Sequence, residues 1–310
     1  MRVVKMIFTL LIYALAALVG YIYLLPDDAL HRALKLERDR SHLVRVERDL
    51  GGLHWVYLEG GQGEPLLLIH GFGADKDNFT RVARWLTPRY HVIAPDLPGF
   101  GEAPKPEDVG YTVAEQMERV RAFAQALELK DLHLGGSSMG GFISATWAAK
   151  YPAEVRSLWL LAPAGVSSAP DSDLVTLLKQ GGRNPLMATT TDEFFKIFRF
   201  TMSDPPFVPR PLLDVIARGR IANHALEEKI FDDLRKRSAP LEQLVKGLPT
   251  PARIVWGDKD RALNVGGAEI LHKLMPNSSV LIMPGIGHLP MLERPEAAAK
   301  DYLAFRAELK

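Results

Sequence analysis

The chain has 310 residues, 47% of them apolar and 24% charged, enough to bury one large domain or one domain carrying an insertion. A formal net charge of +1 supplies no field for holding nucleic acid or another polyanion. The absence of cysteine excludes disulfides, a thiol nucleophile and a thiolate-bound metal, and no fixed-period repeat or low-complexity tract is visible.

The first element in chain order is "MIFTLLIYALAALVGYIYLL", an uncharged stretch whose length as a helix matches the roughly 30 Å hydrocarbon core of a bilayer. Residues 1–25 are therefore expected to form a transmembrane anchor. A cleaved signal peptide is the alternative, because Ala14-Leu15-Ala16 resembles a cleavage site, but cleavage there would leave Leu18 to Leu25 as an apolar stub. Arg2 and Lys5 argue for a cytoplasmic N-terminus, while Arg32, Lys35, Arg38 and Arg40 after the helix argue the other way. A long globular body translocates largely regardless of such charges, so the expected setting is a bacterial inner membrane with a periplasmic catalytic body. Ala16 and Gly20 form a small-xxx-small pair that would let two anchors approach and make a homodimer. Pro26 ends the span, and residues 26–41 read as a juxtamembrane amphipathic helix with Leu30, Ala33, Leu34 and Leu36 toward one side. It is expected to lie on the bilayer, to pair with a second copy, or to be a solvated linker.

From Leu43 onward, β-rich apolar runs alternate with helix-period segments, the pattern of a mostly parallel sheet covered on both faces. "LVRVERDL" and "LHWVYLEGG", joined by Gly51-Gly52, read as an opening hairpin-like pair. Core strands are expected at 65–71, 91–99, 132–138, 157–165, 252–258 and 279–285, and helices at about 77–87, 113–128, 139–151, 266–275 and 291–308. Between about Val166 and Leu248 no strand signal occurs. That interval is too long for a crossover loop and reads as a helical cap, residues 166–248, inserted into a core of residues 42–165 and 249–310.

Chemistry concentrates at "GGSSMGG". A strand turning sharply into a helix strains its apex residue and crowds the positions two before and two after. Ser138 has Gly136 and Gly140 there, whereas Ser137 has Gly135 and Met139, so Ser138 is the expected nucleophile. A serine needs a base, and His288 in "MPGIGHLPMLERP" leaves a strand at the same sheet edge. The orienting acid is Asp258 or Asp260 of "VWGDKD", both beyond a strand's carboxyl end, Asp260 with the longer reach. The amide of Met139 and that of Phe72 in "HGFG" are the expected oxyanion donors, and His70 is expected to hydrogen-bond its own loop. The cap aromatics Phe194, Phe195, Phe198 and Phe207 are expected to line the substrate site. No His/Asp/Glu cluster has ligand spacing, so neither metal nor organic cofactor is implied.

"HGFG", "DLPGFG", "GSSMGG", "WGDKD" and "GIGHLPMLERP" occur in the order and spacing of the α/β-hydrolase superfamily, which the chain resembles from about residue 50 to its end, the cap excepted. It also looks like the lipase and esterase branch with abhydrolase-domain 6 type monoacylglycerol lipases and, given its anchor, is similar to bacterial membrane-anchored phospholipases A. The family's G-x-x-D pattern falls on Gly257 and Asp260 and implies that Asp260 is the acid. Ala103 departs from the serine common there, at a position without a catalytic role. The resemblance implies a serine hydrolase acting on phospholipids, lysophospholipids or monoacylglycerols and releasing a fatty acid. A carbon–carbon bond hydrolase or an acyltransferase with the same triad is the alternative, and a lipid-binding protein on a dead hydrolase scaffold is the non-enzymatic one.

Overall fold

The computed structural model describes residues 1–309. Two helices come first, α1 (Arg2–Leu24) and α2 (Pro26–Arg40). Strands β1 (Leu43–Leu50) and β2 (Leu53–Gly60) pair antiparallel through Gly51 and Gly52, whose φ angles of +58° and +82° are those a two-residue hairpin requires. The chain continues through β3 (Glu64–Ile69), a 3-10 turn (Lys76–Phe79), α3 (Thr80–Ala83), β4 (Tyr90–Pro95) and α4 (Val113–Ala126). Next come β5 (Leu132–Ser137), α5 (Met139–Lys150) and β6 (Val155–Leu161). Five helices then follow with no strand between them: α6 (Asp173–Lys179), α7 (Thr191–Thr201), α8 (Arg210–Ala222), α9 (His224–Arg237) and α10 (Leu241–Leu244). The sheet resumes with β7 (Ala252–Gly257), α11 (Gly266–Leu274) and β8 (Ser278–Met283), and the chain closes with α12 (Pro290–Glu293) and α13 (Pro295–Glu308).

The eight strands lie in the order β1-β2-β4-β3-β5-β6-β7-β8, parallel from β4 to β8. The central strands are apolar on both faces because helices cover both. In β3, Leu67 and Ile69 join the core under α4, α5 and α11, while Leu66 and Leu68 join the core under α3, α12 and α13. All four side chains are fully buried, each worth about 1.5–3 kcal/mol in transfer from water. This geometry sends β3, β5, β7 and β8 toward one edge with their carboxyl ends side by side.

Two expected helices come out divided. Residues 77–87 form a 3-10 turn and one α-turn, and the amides of Trp85 and Leu86 then bond three residues back to Val82 and Ala83. Pro88 disfavours helical backbone at Thr87 and stops the run. The last helix splits at Arg294, pushed to φ −141°, ψ 63° ahead of Pro295.

The larger correction concerns α2. It neither lies free nor serves as a solvated linker, but packs against α8, β1 and α3. Arg38 clamps Asp77 through two charge-assisted bonds of 2.7 and 2.6 Å, Asp27 meets Arg218 of α8 at 3.0 Å, and the Ser41 hydroxyl donates to the Thr80 carbonyl at 2.6 Å. Ala29 is the residue it buries, Leu30, Ala33 and Leu34 are half-buried, and Leu36 faces solvent. None of the residues of α1 is buried, and the helix is long and apolar enough to cross a membrane.

Candidate active site

Strand β5 ends at Ser137, and the next residue turns the chain into α5. Ser138 sits at that apex with φ +54° and ψ −116°, a backbone state that costs an L-residue on the order of 1–2 kcal/mol. The strain is held by bonds from the Ser138 amide to the Leu161 carbonyl at 2.9 Å and from the Phe142 and Ala164 amides to the Ser138 carbonyl, both at 3.0 Å. The flanking glycines answer a real crowding: a Cβ on Gly136 would lie 2.2 Å from the Gly140 carbonyl oxygen, and one on Gly140 would lie 1.9 Å from that of Ile69. Ser137 is fully buried and its hydroxyl has no hydrogen-bond partner among the described residues, whereas Ser138 is half-buried.

His288 leaves the chain just after β8. Its Nδ1 lies 2.7 Å from Asp260 Oδ2, with the histidine 5% exposed and the aspartate side chain fully enclosed. A carboxylate only accepts, so Nδ1 carries the hydrogen, and the neutral form of the ring has its acceptor lone pair on Nε2. Asp260 accepts three further bonds: the Trp256 indole N–H on Oδ2 at 2.9 Å, and the amides of Ala262 and Leu263 on Oδ1 at 2.8 and 2.9 Å. Four donors hold this side chain to one rotamer, and through it the imidazole. Asp258 does different work, accepting the Gly285 amide at 2.7 Å. Neither aspartate caps a helix, since α11 begins only at Gly266.

The "HGFG" loop follows β3. A Cβ on Gly71 would stand 3.2 Å from Ser138 Cβ, which places this loop directly beside the elbow. His70 is fully buried and locks the loop to the next one: Nδ1 donates to the Gly71 carbonyl at 2.8 Å, and Nε2 accepts the Leu97 amide at 2.9 Å. Burial lowers its pKa, in keeping with a neutral ring whose two nitrogens are both committed. Beneath, the buried Asp96 accepts both the amide and the ammonium of Lys76 at 2.8 Å, and the Glu102 amide at 2.8 Å. Met139 is the first residue of α5, where an amide has no carbonyl within its own helix to reach. Phe72 stacks edge-on with Phe100 and with Phe231 of α9, ring centres 5.6 and 5.5 Å away.

The four insertion aromatics are not gathered into one pocket. Phe194 is buried in a small core of α7 and α8 with Ile197, Leu213 and Ala217, and Phe195 and Phe198 are half-buried at its margin. The guanidinium groups of Arg199 and Arg210 stand 5.1 and 5.3 Å from the Phe195 ring. Phe207 is 92% exposed, held away from that core by a segment with prolines at 205, 206 and 209.

Several residues that touch the site carried no sequence signal. Glu293 ties the His288 loop to the end of α7, accepting the Gly287 amide at 2.9 Å and the amides of Ser203 and Asp204 at 2.8 Å. The His288 amide donates to the Thr201 carbonyl at 2.7 Å. Phe231 and Arg220 bring α9 and α8 onto the "HGFG" loop. Only a folded chain brings such pairs together; the glutamate's place in "GHLPMLERP" was the one visible hint.

A model of the alpha/beta hydrolase fold matches residues 64–205. Lipase 1 of Psychrobacter immobilis is 40% identical over 297 residues, covering 92% of this chain and 91% of its own length. The monoacylglycerol lipase ABHD6 of Mus musculus is 31% identical, over 79% of this chain and 76% of its own. A crystal structure described as a membrane phospholipase A, a bacterial virulence factor, superposes with a TM-score of 0.90 at 42% identity, over 98% of this chain and 99% of that one.

Proposed function

We propose, for a chain that belongs to the α/β-hydrolase family and hydrolyses lipid esters, an acyl-enzyme mechanism carried by Ser138, His288 and Asp260. The observation that supports it most is the enclosed 2.7 Å Asp260–His288 pair, set at the same sheet edge as a serine whose backbone is strained at φ +54°. The Ser138 hydroxyl proton passes to His288 Nε2 as Oγ bonds the ester carbonyl carbon, and the carbonyl π pair moves onto oxygen. The amides of Phe72 and Met139 donate to that oxyanion. Its collapse expels the alcohol (a lysophospholipid from a phospholipid, a glycerophosphodiester from a lysophospholipid, or glycerol from a monoacylglycerol), which takes the proton from Nε2. Water then gives a proton to Nε2 and attacks the acyl carbon, and the breaking bond returns Ser138 its hydrogen and frees a fatty acid. Asp260 holds the imidazolium throughout.

The substrate class is a glycerophospholipid, lysophospholipid or monoacylglycerol, supported by the lipase relatives and by an α1 that is uncharged from Met6 onward and long enough to span a bilayer. In this reading α6 to α10 form a cap, and the acyl chain lies against Phe72 and Phe231 rather than the exposed Phe207. The body stands on the periplasmic side of the inner membrane. Two anchors pair through Ala16 and Gly20, where a Cβ on Gly20 would meet nothing in the same chain. The test is a fluorophosphonate probe with the full chain in phospholipid micelles. Wild type should be labelled and release fatty acid, and Ser138→Ala should do neither while keeping its circular dichroism. Hydrolysis surviving in Ser138→Ala refutes the mechanism.

A further inference from the structure

Arg220, on α8, uses its guanidinium to join three separate parts of the chain. Nη1 donates to the Gly73 carbonyl in the "HGFG" loop at 2.6 Å, Nη2 to the Leu186 carbonyl between α6 and α7 at 2.9 Å, and Nε to Glu227 Oε1 of α9 at 2.5 Å. Its central carbon lies 6.0 Å from the Phe72 ring centre. The side chain is 14% exposed and that of Glu227 3%. A buried ion pair of this kind is a poor source of net stability, because desolvation offsets the attraction. What it supplies is geometry: a planar fork whose donors point in fixed directions, which the single point charge of a lysine cannot reproduce.

The loop it grips needs such a hold. The Ala74 amide bonds back to the Gly71 carbonyl at 3.3 Å, so Phe72 and Gly73 are the central pair of a tight turn. Gly73 sits at φ +66°, where only glycine is unstrained, and glycine also leaves the peptide most free to rotate. A Cβ on Gly73 would stand 2.4 Å from the guanidinium, so the position is glycine for space as well as for backbone angle. One end of the turn is fixed from the sheet side, by His70 donating to the Gly71 carbonyl. The other end is fixed from the inserted helices, by Arg220. The Phe72 N–H shares its peptide plane with the Gly71 carbonyl, and the Gly73 carbonyl lies two planes further on, so Arg220 acts on the Phe72 amide by holding the far end of the turn closed.

We propose that Arg220, oriented by Glu227, is a positioning residue for the Phe72 amide, so that the oxyanion site is complete only when α8 is seated. This rests on the reading of Phe72 as an oxyanion donor. Losing such a donor outright costs about 100- to 1000-fold in turnover, and a loosened donor should cost less.

The experiment uses the full chain in detergent with a short, soluble p-nitrophenyl ester, which needs little of the acyl site. It compares wild type, Arg220→Gln, Arg220→Lys and Glu227→Leu for kcat, KM, Tm and the rate of fluorophosphonate inactivation. The Gln variant should lose roughly 10- to 100-fold in kcat and a similar factor in inactivation rate, with KM changed less than about threefold. Lys should recover part of the loss, through the Gly73 carbonyl alone. If Arg220→Gln does not fold, Glu227→Leu decides: with its guanidinium unanchored it should lose about three- to tenfold in kcat. A kcat within twofold of wild type in the folded variants, or a loss confined to KM, overturns the proposal. Failure of wild type itself to react with the probe would instead refute the serine mechanism.

Discussion

The sheet and the helices inserted between β6 and β7 are held together in different ways. Each face of the sheet carries its own continuous core, and the charged groups beneath the site, Asp96, Lys76 and Asp260, are enclosed with their partners. Within the insertion, α7 and α8 have a small core of their own around Phe194 and Ile197 and are latched to the sheet loops by polar bonds at Arg220 and Thr201, whereas α9 and α10 join the sheet's core through Leu226, Ile230, Leu241 and Val245. A region packed on its own few side chains and latched by hydrogen bonds can loosen without unfolding what lies below, while the sheet behaves as one cooperative unit.

The sharpest way to break this contrast is on the sheet side, at the proposed acid. Asp260→Asn should keep the fold and lower kcat by about 10⁴-fold, because an amide can place its N–H against Nδ1 and impose the wrong imidazole tautomer. Steady-state kinetics alongside circular dichroism checks it. A smaller effect is expected from Phe194→Ala, which removes the centre of the insertion's core at a local cost of about 3–5 kcal/mol. Hydrogen exchange should rise through α7 and α8 while β3 and β5 stay protected; uniform loss would make the two regions one unit.

The sheet also carries a proton-linked load. His133 of β5 is 2% exposed, its Nδ1 donating to the Ser157 hydroxyl at 2.8 Å and its Nε2 accepting from Arg306 at 3.0 Å. Burial, helped by the Arg306 charge, lowers its pKa from 6.5 to about 4. The unfolded chain thus binds a proton that the folded one refuses, so stability is fully present above pH 6.5 and is lost as pH falls from 6.5 toward 4. The loss should be on the order of 3 kcal/mol, seen as a falling denaturant midpoint, and His133→Gln should flatten that slope. Least of all should happen with Phe207→Ser, where an exposed ring is replaced: within about 0.5 kcal/mol of wild type by thermal melt.

Much of the sheet was legible because a strand buried on both faces is an unbroken apolar run, as "PLLLI" and "IVWG" are. The elbow was legible because its crowding is local and selects glycine at two set distances from Ser138. The preference for Asp260 over Asp258 came from the family's G-x-x-D pattern and not from the loop's own mechanics, since what distinguishes them physically is the indole of Trp256 and two amides that face Asp260 only after the loop has folded. Arg220 and Arg38 escaped notice for the same reason, their partners lying 147 and 39 residues away. Phe207 was grouped with the other aromatics by residue type, although the prolines around it hold the ring outward.

The seating of α2 sets the posture of the whole molecule. Leu25 is the single residue outside a helix between α1 and α2; the Tyr21 hydroxyl donates to Asp28 across that joint at 2.6 Å, and the Arg38–Asp77 clamp holds the far end of α2 on the body. A tilt of α1 is therefore passed on to the body through α2 instead of being absorbed at a free hinge.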